Sequence, residues 1–175
     1  MNALSALLAA EFTSRPVDLT NGQWHHGIPN KPGWYFIETD APLSVLRGLP
    51  SPPSEYKNND GEIKKCKNYN IPARASALAS ALGAESIVIS TPELRPVYSG
   101  MAKSIFNRAR EHTFAHQGTA GLALANYQAL FAFRWNFHYI ENNLQSASPS
   151  HSDIMLKLGE QVWRATHGWP LLCSG

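Results

Sequence analysis

Long apolar runs are missing from this sequence, cysteine is rare, and net charge is small. No stretch approaches the roughly 20 apolar residues that a bilayer-crossing helix requires, so no transmembrane segment and no membrane partner are expected. The cysteines are two, Cys66 and Cys173, far apart and in no CxxC pair; this argues against a zinc site and reads as thiols of a cytoplasmic protein. With 175 residues the chain fits one domain, 1–175. A domain of that size buries roughly two-thirds of its unfolded surface and needs neither disulfide nor structural metal. A net charge of +2 is by itself a weak pull on a polyanion. Repeats and low-complexity tracts are also lacking, while 43% hydrophobic and 16% charged residues mark a globular chain rather than a disordered one. The apolar start, Met1 to Ala10, lacks a basic head and is closed by Glu11. It reads as a short amphipathic helix through Leu4, Leu7, Leu8 and Phe12 rather than as a secretory leader.

What is present is an alternation of aromatic strands and short helices. Trp34 to Thr39 has strand composition and follows the turn formers of Pro29 to Gly33. The stretch from Asp40 to Asn70 carries Pro42, Pro50, Pro52 and Pro53 and is expected to be mostly loop. Pro72 to Leu82 is alanine-rich and helical in character, with Gly83 as its stop. Ser86 to Ser90 and Val97 to Ser99 read as strands separated by Pro92 and Pro96. Lys103 to His116 is expected as a helix ended by Gly118, followed by a short helix from Leu122 to Gln128. Period-two alternation from Phe131 to Ile140 predicts a half-buried strand with a core-facing aromatic stripe. Ser150 to Asp153 supplies a capping-box start for a last helix, with Met155, Leu158, Val162 and Ala165 on its packing face and Gly168-Trp169-Pro170 as its end. The predicted class is α+β, with a small, mainly antiparallel central sheet flanked by helices.

Charge is unevenly spread. Residues 1–56 hold three basic and five acidic side chains, whereas residues 57–74 hold Lys57, Lys64, Lys65, Lys67 and Arg74 against Asp60 and Glu62. A local basic stretch of this kind is compatible with phosphate contact, and equally with a solvated loop.

Three separated pieces carry a more specific signal. Gly33-Trp34-Tyr35 opens a strand; Tyr98-Ser99-Gly100 follows, with Lys103, Arg108 and His112 downstream; Glu160 lies in the last helix, ahead of Trp169-Pro170-Leu171-Leu172-Cys173. In this order the pieces resemble the GIY-YIG nuclease family. Ser99 stands where the second signature tripeptide usually has isoleucine, and Cys173 stands roughly where family members often have asparagine. The family joins its tripeptides by a short hairpin, whereas here a long insertion, 40–92, separates them and an extension, 1–32, precedes them. The resemblance implies a metal-dependent endonuclease acting on DNA, with Tyr35 as base or water-orienter and Tyr98 as its partner. It implies Arg108 for transition-state charge, Lys103 and His112 in support, and Glu160 as ligand to Mg2+ or Mn2+.

The chemistry is consistent with those roles. Hydrolysis of a phosphodiester needs an activated water, neutralised phosphate charge and help for the leaving oxygen. Arginine presents fixed donors that match phosphate oxygens, and Arg108 and His112, four apart, project from one helical face. One carboxylate with several waters suits magnesium or manganese better than zinc. Each residue also has an ordinary reading: Tyr35 and Tyr98 as packing aromatics, Arg108 paired with Glu111, Glu160 in a surface ion pair with Lys157 or Arg164. A stand-alone chain with a long insertion points to a restriction-type enzyme. A nonspecific effector or toxin nuclease and an inactive nucleic-acid-binding module are the alternatives. Lys57, Lys64, Lys65, Lys67 and Arg74 would grip the substrate. The sequence leaves open RNA as target, and a homodimer.

Overall fold

Strand β2 (Gly33–Thr39) is buried on both faces, as its unbroken run of aromatic and β-branched residues requires. It lies inside a four-stranded antiparallel sheet of order β1–β6–β2–β5, where β1 is Thr13–Pro16, β5 is Arg95–Ala102 and β6 is Trp135–Glu141. The structure, a computed structural model, describes residues 11–82, 94–142 and 149–173. Among the described residues four helices flank the sheet: α1 (Leu43–Arg47), α2 (Ile71–Leu82), α3 (Ile105–Phe114) and α4 (Pro149–His167). The fold is therefore α+β.

Alternation along β2 sends its side chains to two cores. Tyr35 and Ile37 join Leu43, Leu46, Ile71, Ile105, Ala109 and Phe137 in the larger one, which ties α1, α2 and α3 to the sheet. Each fully buried aliphatic side chain there contributes about 1.5–3 kcal/mol. Trp34 points the other way, into a smaller cluster with Leu156 of α4, Phe12, Met101 and Ile140. The Trp34 indole donates to the Leu156 carbonyl at 2.8 Å, and a Cβ at Gly159 would lie 2.4 Å from its nitrogen. A glycine is therefore what lets α4 sit down on Trp34.

Several expectations are refined. Residues 40–70 are not all loop: α1 and a hairpin of β3 (Glu55–Lys57) and β4 (Ile63–Lys65) occupy part of them. The hairpin turn is organised by the Asn58 side chain, which accepts from the backbone N–H of Asp60 and Glu62, and by Gly61 at φ +83°. Its strands alternate no apolar face, so periodicity gave no warning. β5 runs through Pro96 because, among the described residues, it is the outer strand. Val97 is bulged out between the pairs Ile37–Tyr98 and Glu38–Pro96, and its carbonyl instead accepts from Leu172 N–H at 2.7 Å. The loop after α4 is thus pinned to the edge of β5.

Residues 122–128 do not form one short helix; two 3-10 turns, Leu124–Asn126 and Gln128–Leu130, replace it. The last strand starts at Trp135, not Phe131, because the Phe133 N–H is turned back onto the Leu130 carbonyl; Phe131 is exposed rather than core. On α4 the packing face is Leu156, Gly159 and Trp163, while Leu158 and Ala165 are exposed; counting apolar residues misses a face centred on glycine. Gly168, at φ +92°, ends this helix with its N–H on the Arg164 carbonyl. Helix α3 is capped by Ser104, whose hydroxyl accepts from Asn107 N–H, and it stops at Phe114, before Gly118. Of the expected helix through Leu4, Leu7, Leu8 and Phe12 only residues 11 and 12 are described, and they are not helical; the expected strand 86–90 lies outside the described residues. Among the described residues no helix is long and apolar enough to cross a membrane.

Candidate functional site

Two glycines determine where the signature tyrosine goes. Gly100 faces Tyr35 across the β2–β5 ladder, and a Cβ there would lie 2.5 Å from Tyr35 Oη. The phenol therefore passes over the neighbouring strand at the one residue without a side chain. At Gly33 a Cβ would meet the Ile140 carbonyl oxygen at 2.1 Å and Ile105 Cδ1 at 2.6 Å. That glycine lets β6 and α3 close around the start of β2. Both tripeptide glycines are thus demanded by close approach.

Helix α3 brings two nitrogen donors to the phenol. Arg108 Nε donates to Tyr35 Oη at 3.3 Å, and His112 Nε2 lies 2.9 Å from the same oxygen. His112 Nδ1 accepts from Leu122 N–H at 3.4 Å. Burial, then the cations of Arg108 and Arg74, hold the imidazole well below its ordinary pKa, so it is neutral. A neutral ring that accepts at Nδ1 carries its proton on Nε2. His112 is thus a donor to Tyr35, not an acceptor of its proton. Burial pushes the Tyr35 pKa up, with Arg108 pulling the other way, and the group stays a phenol at neutral pH.

Tyr98 stacks on Tyr35, with ring centres 6.3 Å apart and planes at 20°. It lies 4.6 Å from the His112 ring and donates to Tyr69 Oη at 3.3 Å. Burial, reinforced by Tyr35, raises its pKa as well. The Arg74 guanidinium sits 4.1 Å over the Tyr69 ring and donates to the Leu172 carbonyl at 2.6 Å. Arg74 therefore belongs to the tyrosine cluster, apart from the hairpin lysines with which its sequence position groups it.

Glu160 approaches from α4. Its Oε1 accepts from Arg164 Nη2 at 2.5 Å, and its other oxygen takes no protein hydrogen bond among the described residues. Burial raises its pKa, opposed by Arg164 and Arg108. Tyr35, Gly100, Ser99 and Glu160 line one hollow with Phe12, Trp34 and Trp163. The predicted residues Tyr35, Tyr98, Arg108 and His112 are thus brought together directly, and Glu160 shares the hollow with Tyr35. Lys103 is not brought in: its ammonium is solvent-exposed and reaches Asp153 on α4 at 3.3 Å. Lys57, Lys64, Lys65 and Lys67 are exposed on and beside the hairpin, where Lys64 pairs with Glu62 at 2.8 Å.

Sequence reasoning missed Tyr69, which lies in a segment expected to be loop and carries no motif. It also misread Arg164, whose spacing from Glu160 suggested an exposed pair. That arginine is 6% exposed. Arg108 pairs with Glu111 and Arg164 with Glu160, while Arg74 adds a third guanidinium over Tyr69, so among the described residues around the site cations outnumber acids, which suits an anion. Among the described residues no group of three or more His, Cys, Asp or Glu could hold a metal ion. A lone carboxylate with one oxygen unengaged fits a hydrated Mg2+ or Mn2+ completed by phosphate oxygens, and does not fit zinc. No protein-family model, curated protein or solved structure matches the chain.

Proposed function

We propose that this protein is a divalent-metal-dependent endonuclease of GIY-YIG type that hydrolyses phosphodiester bonds in DNA, acting as a restriction-type enzyme in the cytoplasm. The observation that carries this reading is the convergence of the Arg108 and His112 donors on Tyr35 Oη, beside a hollow lined by Glu160. A phenol oxygen that accepts two N–H donors keeps its own O–H to give, and so can orient the attacking water. To serve as base it would first have to lose that proton, and the two donors would then stabilise the phenolate that takes a proton from water. Arg108 has a second task. Its Nη1 is anchored on Glu111 at 2.6 Å and on the Ala120 carbonyl at 2.7 Å, which fixes the guanidinium for transition-state charge. Tyr98 holds the tyrosine ring by stacking. A cation at Glu160 would supply Lewis-acid assistance to the phosphate.

A second reading has its own observation. Tyr35 is 2% exposed, which favours a nucleic-acid-binding module that does not turn over. Incubating the protein with plasmid and Mg2+, beside Glu160→Ala, separates the readings. Discrete fragments from the wild type, with a loss of about 100-fold or more in the variant, are the expected result. A smear indicates a nonspecific effector nuclease, and intact plasmid with retained DNA binding indicates the inactive module.

A further inference from the structure

The two departures from the signature, Ser99 and Cys173, touch the same side chain. Arg164 Nε donates to Ser99 Oγ at 3.0 Å, and Arg164 Nη2 donates to the Ser99 carbonyl at 3.2 Å and lies 3.4 Å from Cys173 Sγ. The Ser99 N–H donates to that sulfur at 3.3 Å, so strand, loop and helix are tied at one point. Trp169 covers the guanidinium, its ring centre 4.8 Å away. A buried guanidinium is expensive unless its donors are satisfied and its charge is matched. Among the described residues the charge is matched by Glu160, one helical turn back, through one oxygen.

We propose that Arg164 is a positioning residue: seated on Ser99 and Cys173, it holds one oxygen of Glu160 and presents the other to a divalent cation. This rests on the nuclease reading above, in which Glu160 is the metal ligand. An isoleucine at 99 offers no hydroxyl to the guanidinium, whereas serine accepts from Nε. The sulfur of Cys173 fills the space beside Nη2 and also accepts from the strand. Ser99 and Cys173 therefore act as a seat for the arginine, and the arginine fixes the carboxylate rotamer before any cation arrives. Holding one oxygen favours ligation through the other oxygen alone, the mode that suits a small octahedral ion keeping several waters.

The test is Mn2+ binding to the full-length protein, followed by loss of the free-ion electron paramagnetic resonance signal, for wild type, Glu160→Ala, Arg164→Lys, Arg164→Ala and Ser99→Ala. Thermal unfolding of each variant accompanies it. Removing a partner that orients a metal ligand costs about 10- to 100-fold in affinity. Arg164→Ala is expected in that range, with Arg164→Lys and Ser99→Ala smaller but measurable in variants that melt like the wild type. If Arg164→Lys and Ser99→Ala fold and bind Mn2+ as the wild type does while Glu160→Ala does not, Arg164 is only structural and the proposal falls. If Glu160→Ala binds Mn2+ like the wild type, the metal-ligand reading itself fails, and the proposal fails with it.

Discussion

The β2–β5 ladder and the basic stretch that folds partly as the β3–β4 hairpin stand out in the sequence on opposite grounds. At the ladder a few uncharged residues, two glycines and two tyrosines, impose a geometry that admits almost no alternative: the phenol crosses at Gly100, and α3 then meets it with two donors. At the hairpin the argument was charge, and charge turns out to be balanced. Lys57, Lys64 and Lys65 share the ribbon with Glu55, Asp60 and Glu62. The hairpin is nevertheless tied to the site. Lys67 N–H donates to the Gln117 carbonyl and Tyr69 N–H to that of Gly121, next to the Ala120 carbonyl that anchors Arg108. Steric demands survive translation from sequence to space, whereas a tally of charges along the chain ignores which neighbours the fold supplies.

The comparison is most exposed at Arg108. Arg108→Ala is expected to cut the rate of plasmid cleavage by about 100- to 1000-fold with DNA binding retained; a rate within a few-fold of wild type would remove the ladder from the chemistry. Next in size is Gly100→Ala, which must displace a phenol held by two hydrogen bonds. A loss of about 1–3 kcal/mol in urea unfolding is expected, together with loss of cleavage, while alanine at exposed hairpin positions should leave stability unchanged.

A smaller effect concerns pH. Burial depresses the His112 pKa from its ordinary 6.5 in the folded state. The unfolded chain therefore binds the extra proton first, and the stability that His112 contributes is full above 6.5 and drains away as pH falls below it. The slope reaches about 1.4 kcal/mol per pH unit for one proton. Urea unfolding at pH 7.5, 6 and 5 should show a flatter profile for His112→Gln than for wild type, and parallel profiles would refute the depressed value. Smallest of all is the hairpin itself. Replacing Lys64, Lys65 and Lys67 by alanine should reduce the salt slope of DNA binding by no more than about 3. No change at all would take this face out of the interface.

Legibility followed the same division. Strand β2, helices α2 and α3 and the central strand β6 could be read from aromatic alternation and alanine-rich periodicity, as could the α+β class. The hairpin could not, since its order comes from Asn58 and from backbone bonds to residues 117 and 121. The face of α4 was displaced because Gly159, the residue that admits Trp34, has no hydropathy to count. Among site residues, Tyr35, Tyr98, Arg108 and His112 were grouped by motif order and do meet. Lys103 was grouped with them and turns instead to Asp153. Arg74 was assigned to the surface stretch by proximity along the chain, yet the start of α2 carries it to Tyr69. Arg164 was invisible because helical spacing from Glu160 cannot say whether a pair faces water or Ser99.

The bond from Leu172 N–H to the bulged Val97 carbonyl makes the tail a stopper for the outermost strand. Clipping the protein just past Gly168 would do more than shorten it. It would release the Val97 carbonyl and the Ser99 N–H, which Leu172 and Cys173 now engage, and leave them for a second molecule to pair with. Protease trimming at this end should therefore announce itself as self-association before any enzymatic deficit is looked for.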